Sequence, residues 1–456
     1  MEKTYQRINN YLLRLSKRLI SGMILLLVFL AFEAKSSDIK IISDEETEQF
    51  LEGIISPLFS AAGIPFYRNN IFIVEDNSLN AFVTDGNKMF IHTGTIIKSD
   101  SWEEISGVLA HETGHIMGGH IIRQKLQAQN MYEVSMISAI LAGAAAAVSG
   151  RGDAAMAVML GGQSSLINHY TNYRTEEERS ADEAAVKLLN ATNQSPLGLL
   201  KFMKKIKQDN VLSGKEEIPY FRTHPVTNDR IAFFENALKD SSYHEQKNNR
   251  SFLLVKAKIK AYLQKPEQTF IEYDLSRKDS PALYAHAIAY MKMLKFNEAL
   301  DKINRLIKRD EANPFFYELK GQIYLEMGKI KSAKQNFAKA YEILPNSYLM
   351  QTNYAHIILE NEPSDNEIKY AITLLKRALR VHESLTSWML LAKAYGMIGD
   401  MANATYASAE YSYRMGNFET AEKQINELKK LTLDNQLKLK VNDLDYRLRT
   451  INKKRP

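Results

Sequence analysis

The sequence predicts a mainly α-helical chain with a small β-sheet, in which an α+β domain is followed by an α-solenoid of helical hairpins. Three observations carry this expectation. Short β-type runs are confined to residues 71–92 and lie among longer stretches of helical period. A polar, charged interval from Lys239 to Arg250 shows no apolar period and divides the chain. Beyond it a 34-residue period aligns Ser280 with Pro314, Ala287 with Gly321, Tyr290 with Tyr324, Ala299 with Ala333 and Ile303 with Phe337.

Taken in order, the chain opens with a basic stretch ending at Lys17-Arg18, followed by an apolar run from Leu19 to Phe32. That run suits the hydrophobic segment of a secretory signal and is short for a bilayer span, which needs about 20 residues. Residues 1–34 are therefore expected to be a signal peptide, with an uncleaved anchor as the alternative because Phe32 stands where cleavage near Ala34 wants a small residue. Half of the formal charge of +6 falls in this segment, where Lys3, Arg7, Arg14, Lys17 and Arg18 outweigh Glu2 and Glu33. The remaining charge is too mild to suggest nucleic acid, and no dense basic patch with interleaved aromatics occurs. The 456 residues contain no cysteine, so neither disulfides nor thiolate metal sites are available, and any metal must be held by His and carboxylate.

Residues 45–65 alternate with a helical period. The runs Ile71–Val74, Ala81–Val83 and Met89–His92 read as strands, the last two joined in a hairpin at Asp85-Gly86-Asn87. From Trp102 a helix is expected through His111 to about Gln129. Residues 131–168, rich in Ala, Met and Gly, read as a small-residue helical hairpin, with an interfacial membrane contact as the alternative. Helices follow at about Thr175 to Asn190 and Pro196 to Gln208. These elements divide the chain into a catalytic domain at 38–240, a linker at 241–252, tetratricopeptide repeats at 253–440 and a basic tail at 441–456. Within the second repeat, Tyr317, Gly321, Tyr324, Gly328, Ala333, Phe337, Ala340 and Pro345 occupy the expected offsets. Small residues there let paired helices approach, while large ones fill between them.

The chemistry concentrates on His111-Glu112-Thr113-Gly114-His115. Four residues apart on a helix, the two histidines share a face and can reach one ion. Glu112, displaced around the helix, can sit beside the open coordination position and take a proton from water activated there. His120 does not extend the set, because Ile121 stands where the His-Glu-x-x-His-x-x-Gly-x-x-His pattern wants its third histidine. We read His120 as a polar helix-end residue. The best third ligand is Glu178, with Asp182 on the same helical face to accept the outward N–H of a ligating imidazole. Ala181, small and adjacent, lets the two helices close up.

The series His111-Glu112-x-x-His115, Glu178-x-x-Ala181-Asp182 and His224-Pro225 with Arg230 resembles the BepA, HtpX and CAAX-prenyl-protease family of gluzincin metallopeptidases. Asn80-Ala81-Phe82 and Thr93-Gly94 fit its layout, and the repeats make the BepA type the nearest likeness. The resemblance implies a zincin-like domain and one Zn2+ per chain held by His111, His115 and Glu178. It also implies Glu112 as general base and Asp182 as the support of a ligand. His224 would either stabilise the oxyanion or ligate zinc in a resting state, and Arg230 would pair with an acidic group such as Asp182. Substrate would lie extended along the Asn80–Val83 strand. The multiple long apolar spans of the CAAX and HtpX branches are missing from this sequence.

The expected function is thus a periplasmic zinc endopeptidase acting in quality control or assembly of outer-membrane proteins. Its partners would be unfolded or misassembled proteins and, through the repeats, the envelope assembly machinery. Peripheral membrane contact would come from 131–168, and nucleic acid is not expected. The alternative is a repeat-based chaperone or assembly adaptor with a latent or structural zinc site. His286, His356 and His382 are read as ordinary helix-surface residues, since no two share ligand spacing.

Overall fold

Strand β1 (Ile41–Ile42) leads into helix α1 (Glu45–Ala61), whose N-cap Asp44 accepts from Thr47 N at 2.9 Å. Three acidic residues in the first turn, Glu45, Glu46 and Glu48, face the positive end of the helix dipole. Strands β2 (Ile71–Val74), β3 (Ala81–Thr84) and β4 (Lys88–His92) complete a sheet of order β1-β2-β4-β3. The expected hairpin joins β3 to β4, with Gly86 at φ 77° and Asn87 at φ 58°. Strands β2 and β4 run parallel, leaving β3 at the edge. One sheet face carries the stacked rings of Phe72, Phe90 and Phe82, with centroids 4.8 and 4.9 Å apart. The other presents Ile71, Ile73, Ala81, Val83, Met89 and Ile91 to a core shared with the helices.

After the short helix α2 (Thr93–Lys98) comes α3 (Trp102–Met117), buried along nearly its whole length, then α4 (174–191), α5 (Leu197–Ser213) and α6 (Asn228–Lys239). Helices α3 and α5 approach closely at a glycine on each, Gly107 against Leu199 and Gly198 against Glu103. A Cβ on Gly107 would lie 2.6 Å from Leu199 N, and one on Gly198 would lie 2.2 Å from Glu103 O. This computed structural model describes residues 40–124, 126, 174–213, 220, 223–239, 241–243, 249–360 and 362–452. The expected signal segment at 1–34 and the whole of the Ala-rich 131–168 hairpin lie outside the described residues. Among the described residues, no helix is long and apolar enough to cross a membrane.

From Arg250 the described chain is helical. Helix α7 (Arg250–Leu263) and the short α8 (Pro266–Glu272) precede five helix pairs among the described residues. These are α9 (Ser280–Lys292) with α10 (Phe296–Arg309), α11 (Pro314–Glu326) with α12 (Ile330–Ile343), and α13 (Tyr348–Leu359) with α14 (Asp365–Val381). The last are α15 (Leu385–Met397) with α16 (Met401–Arg414), and α17 (Phe418–Leu428) with α18 (Asn435–Asn452). Repeat-position Ala287, Ala299, Ala333, Ala340, Ala355, Ala371 and Ala378 are fully buried, as close helix pairing requires. Helix α18 runs on through residues that the sequence reading assigned to a basic tail. Its Val441, Leu444 and Leu448 follow a helical period and bury against Ala421, Ile425 and Leu428. His286 is not a surface residue either: it is buried, and its Nε2 meets Tyr273 O.

The two halves are joined through α7 and α1. Phe252, Val255 and Ile259 of α7 belong to the core of the α+β domain, while Leu254, Ala257 and Ala261 belong to the core of the repeats. The acidic first turn of α1 meets side chains from several repeats. Tyr284 Oη donates to Glu46 at 2.9 Å, Tyr348 Oη donates to Glu48 at 2.9 Å, Ser347 donates to Glu45, and Lys258 pairs with Asp44.

Candidate metal centre

His111 and His115 project from one face of α3, and their Nε2 atoms lie 3.1 Å apart. Helix α4 crosses α3 at Gly114, where a Cβ would stand 2.7 Å from Ala181 O. Only glycine fits there. The crossing brings Glu178 between the imidazoles, with Oε2 3.3 Å from His111 Nε2 and Oε1 3.4 Å from His115 Nε2. One turn further along α4, Asp182 Oδ1 lies 2.9 Å from His111 Nδ1. Arg230, from α6, fixes both carboxylates: Nε and Nη2 donate to Asp182 at 2.6 and 2.8 Å, Nη1 lies 2.9 Å from Glu178 Oε2, and Nη1 also donates to Pro225 O at 2.8 Å.

His224 closes the fourth side. Its Nδ1 lies 2.9 Å from Glu178 Oε1 and 3.4 Å from His111 Nε2, while its Nε2 lies 3.5 Å from Glu112 Oε1. Ligand atoms of His111, His115, Glu178 and His224 all fall within 4.8 Å of one another, and all four residues are buried. Glu112 is 1% exposed, and its Oε1 makes no hydrogen bond. The sequence-predicted residues His111, Glu112, His115, Glu178, Asp182, His224 and Arg230 thus come together in one buried cluster.

The electrostatics favour a cation at this point. Burial opposes charge on His111, but the Asp182 and Glu178 carboxylates outweigh it and push the ring up to about 9. Burial, with the neighbouring His111 and His224, drives His115 down to about 3. Burial would raise Glu178, yet the surrounding histidines hold it well below the usual carboxylate range. Burial raises Glu112, as suits a group that must take up a proton. The donor set fits a zinc ion: two imidazoles and a carboxylate converge, with His111 Nδ1 2.9 Å from Asp182 Oδ1 and His115 Nδ1 2.8 Å from His120 Nδ1 on the outward side, while both Nε2 atoms face in.

Two neighbours escaped the sequence reading. Tyr220 is fully buried, its ring centroid 4.6 Å from that of His224, and its carbonyl accepts from His224 N at 2.7 Å. Its place four residues before His224 was the available signal. His120 is not merely a polar helix end. The expected unbroken helix stops at Gly118, Gly119 takes φ 63°, and His120 returns to place Nδ1 2.8 Å from His115 Nδ1. Motif register at Ile121 gives no sign of this contact, which depends on the turn at Gly118-Gly119.

Edge strand β3 packs beside α3. Asn80, just before it, is buried, and its Oδ1 makes no hydrogen bond, while Nδ2 lies 3.4 Å from His92 Nε2.

Comparison with known proteins adds the family context. The model of Peptidase family M48 matches residues 45–238. A protein of Escherichia coli described as beta-barrel assembly-enhancing protease is 22% identical over 391 residues, covering 84% of this chain and 78% of that protein. A putative beta-barrel assembly-enhancing protease of Vibrio cholerae is 22% identical over 391 residues, covering 84% of this chain and 79% of its own. A protease HtpX homolog of Streptococcus pyogenes is 29% identical over 144 residues, or 30% of this chain and 47% of that protein.

Proposed function

We propose that this chain, whose residues 45–238 match the model of Peptidase family M48, is a zinc metalloprotease that is exported to the periplasm and cleaves unfolded or misassembled proteins during outer-membrane assembly. The observation that carries the protease reading is the convergence of His111, His115, Glu178 and His224 beside a buried Glu112 with a free carboxylate oxygen. The periplasmic setting is supported by the apolar Leu19–Phe32 run, and the client class by relatives described as beta-barrel assembly-enhancing proteases.

His111, His115 and Glu178 would hold one Zn2+, with Asp182 fixing the tautomer of His111 and Arg230 holding Asp182 and Glu178 in place. Bound zinc would supply a Lewis acid that polarises the scissile carbonyl and acidifies water. Glu112 accepts the proton of the attacking water and passes it to the leaving amine, its burial having raised its basicity. His224 Nε2 is the donor available to negative charge developing on the carbonyl oxygen, as its 3.5 Å approach to Glu112 brings it beside the same reacting atoms. Substrate backbone pairs with edge strand β3, and the free Asn80 Oδ1 accepts from it.

A second reading, a repeat-based adaptor with a latent metal site, draws on one observation. His224 lies within ligand distance of the cluster and would close the position water needs. Unfolded casein separates the two: the protease reading expects cleavage that stops when a chelator strips the metal, whereas the adaptor reading expects binding without cleavage. Persistent inertness of zinc-loaded protein overturns the first.

A further inference from the structure

Three features between His115 and His120 serve a single contact. A Cβ on Gly118 would stand 2.1 Å from His120 Nε2, so only glycine leaves room for the ring. Gly119 adopts φ 63°, which turns the chain back over the end of α3. His120, 1% exposed, then places Nδ1 2.8 Å from His115 Nδ1.

Two imidazole nitrogens at that distance share one proton, and which ring carries it decides what His115 offers on its other side. His115 Nε2 faces His111 Nε2 and Glu178 Oε1, so it can give a lone pair to a cation only when its own proton sits on Nδ1. That proton needs an acceptor. Asp182 stands in that place for His111, whereas among the described residues His115 Nδ1 meets an imidazole and not a carboxylate.

We propose that His120 is a positioning residue of the zinc site, whose Nδ1 accepts the Nδ1–H of His115 and thereby fixes the tautomer and ring plane in which His115 Nε2 meets the metal. The proposal rests on the zinc-site reading above and deepens it. His111 and His115 are then held by different partners, a carboxylate for the first and a neutral imidazole for the second. His120 itself carries its proton on Nε2 and stays out of the coordination sphere.

The test is the zinc dissociation constant of the full chain, measured by competition with a chromogenic chelator, for wild type, His120→Leu and His120→Asn. Asn places its carbonyl oxygen near the position of Nδ1, whereas Leu fills space without an acceptor. Loss of a partner to a ligating histidine costs about 10–100-fold in metal affinity. The expected result is that loss for Leu, with Asn within a few-fold of wild type. Equal affinities for all three overturn the proposal, as does an equal loss for Leu and Asn, which would mark His120 as packing alone. Should Leu fail to fold, His120→Gln replaces it, since its oxygen reaches toward the Nε2 position; Asn binding more tightly than Gln supports the proposal, and equal binding overturns it. Wild type that takes up no zinc overturns the site reading itself.

Discussion

Replacing Glu48 with Gln raises the stability of the chain at pH 8 and leaves it nearly unchanged at pH 5. Glu48 lies in the first turn of α1, where Tyr348 Oη donates to Oε1 and Oε2 at 2.9 and 3.1 Å and Asp44 N donates to Oε1 at 3.2 Å. Burial is the largest influence on its carboxyl, Glu45 and Asp44 add negative charge, and Tyr348 and Arg68 only partly offset these, so the group is pushed up from 4.5 to about 7. Between those values the unfolded chain has lost a proton that the folded chain keeps. Stability therefore falls as pH rises through this window, and the full cost applies above it. A shift of that size corresponds to about 3 kcal/mol, at 1.36 kcal/mol per pH unit. Gln cannot ionise and retains an oxygen for Tyr348. Denaturant unfolding followed by circular dichroism should show the variant ahead by about 3 kcal/mol at pH 8 and by under about 1 kcal/mol at pH 5. A variant less stable than wild type by the same margin at both pH values would refute the reasoning, because Glu48 would then be a charged acceptor that the fold needs.

Other outcomes follow from single contacts. Gly114→Ala inserts a Cβ 2.7 Å from Ala181 O, so α3 and α4 must separate; we expect a loss of about 1–3 kcal/mol in a melt and weaker zinc uptake in a titration. Asp182→Ala leaves the buried Arg230 guanidinium with Glu178 as its one remaining carboxylate among the described residues, and we expect a loss of about 3–5 kcal/mol, read as a lowered unfolding midpoint. Phe252→Ala removes a fully buried ring from the shared helix α7, and the same melt should register a loss of about 3–5 kcal/mol.

Much of the fold was legible because its signals are local. The 34-residue period depends on small residues at fixed offsets, and the β3–β4 hairpin on Asp85-Gly86-Asn87. The parallel β2–β4 pairing was not legible, because strand order is decided by the crossover between them and not by either strand's pattern. Nor was the shared role of α7: Phe252 and Leu254 are alike in sequence, and only packing sends one to each core. At the site, helical spacing sufficed for His111, His115, Glu178 and Asp182. His120 was read only as a polar helix end because motif register says nothing of the Gly118-Gly119 break that folds its ring back onto His115. Tyr220 carries no motif, and its spacing of four residues from His224 is the one local hint of their contact.

The most direct test of the central claim pairs zinc content with casein digestion for wild type and Glu112→Gln. Glu112 is buried beside the ligand cluster and is not among the four converging residues, so the variant should retain zinc while losing proteolysis almost completely. Undiminished cleavage by Glu112→Gln, or a wild-type chain that cleaves without metal, would contradict the account.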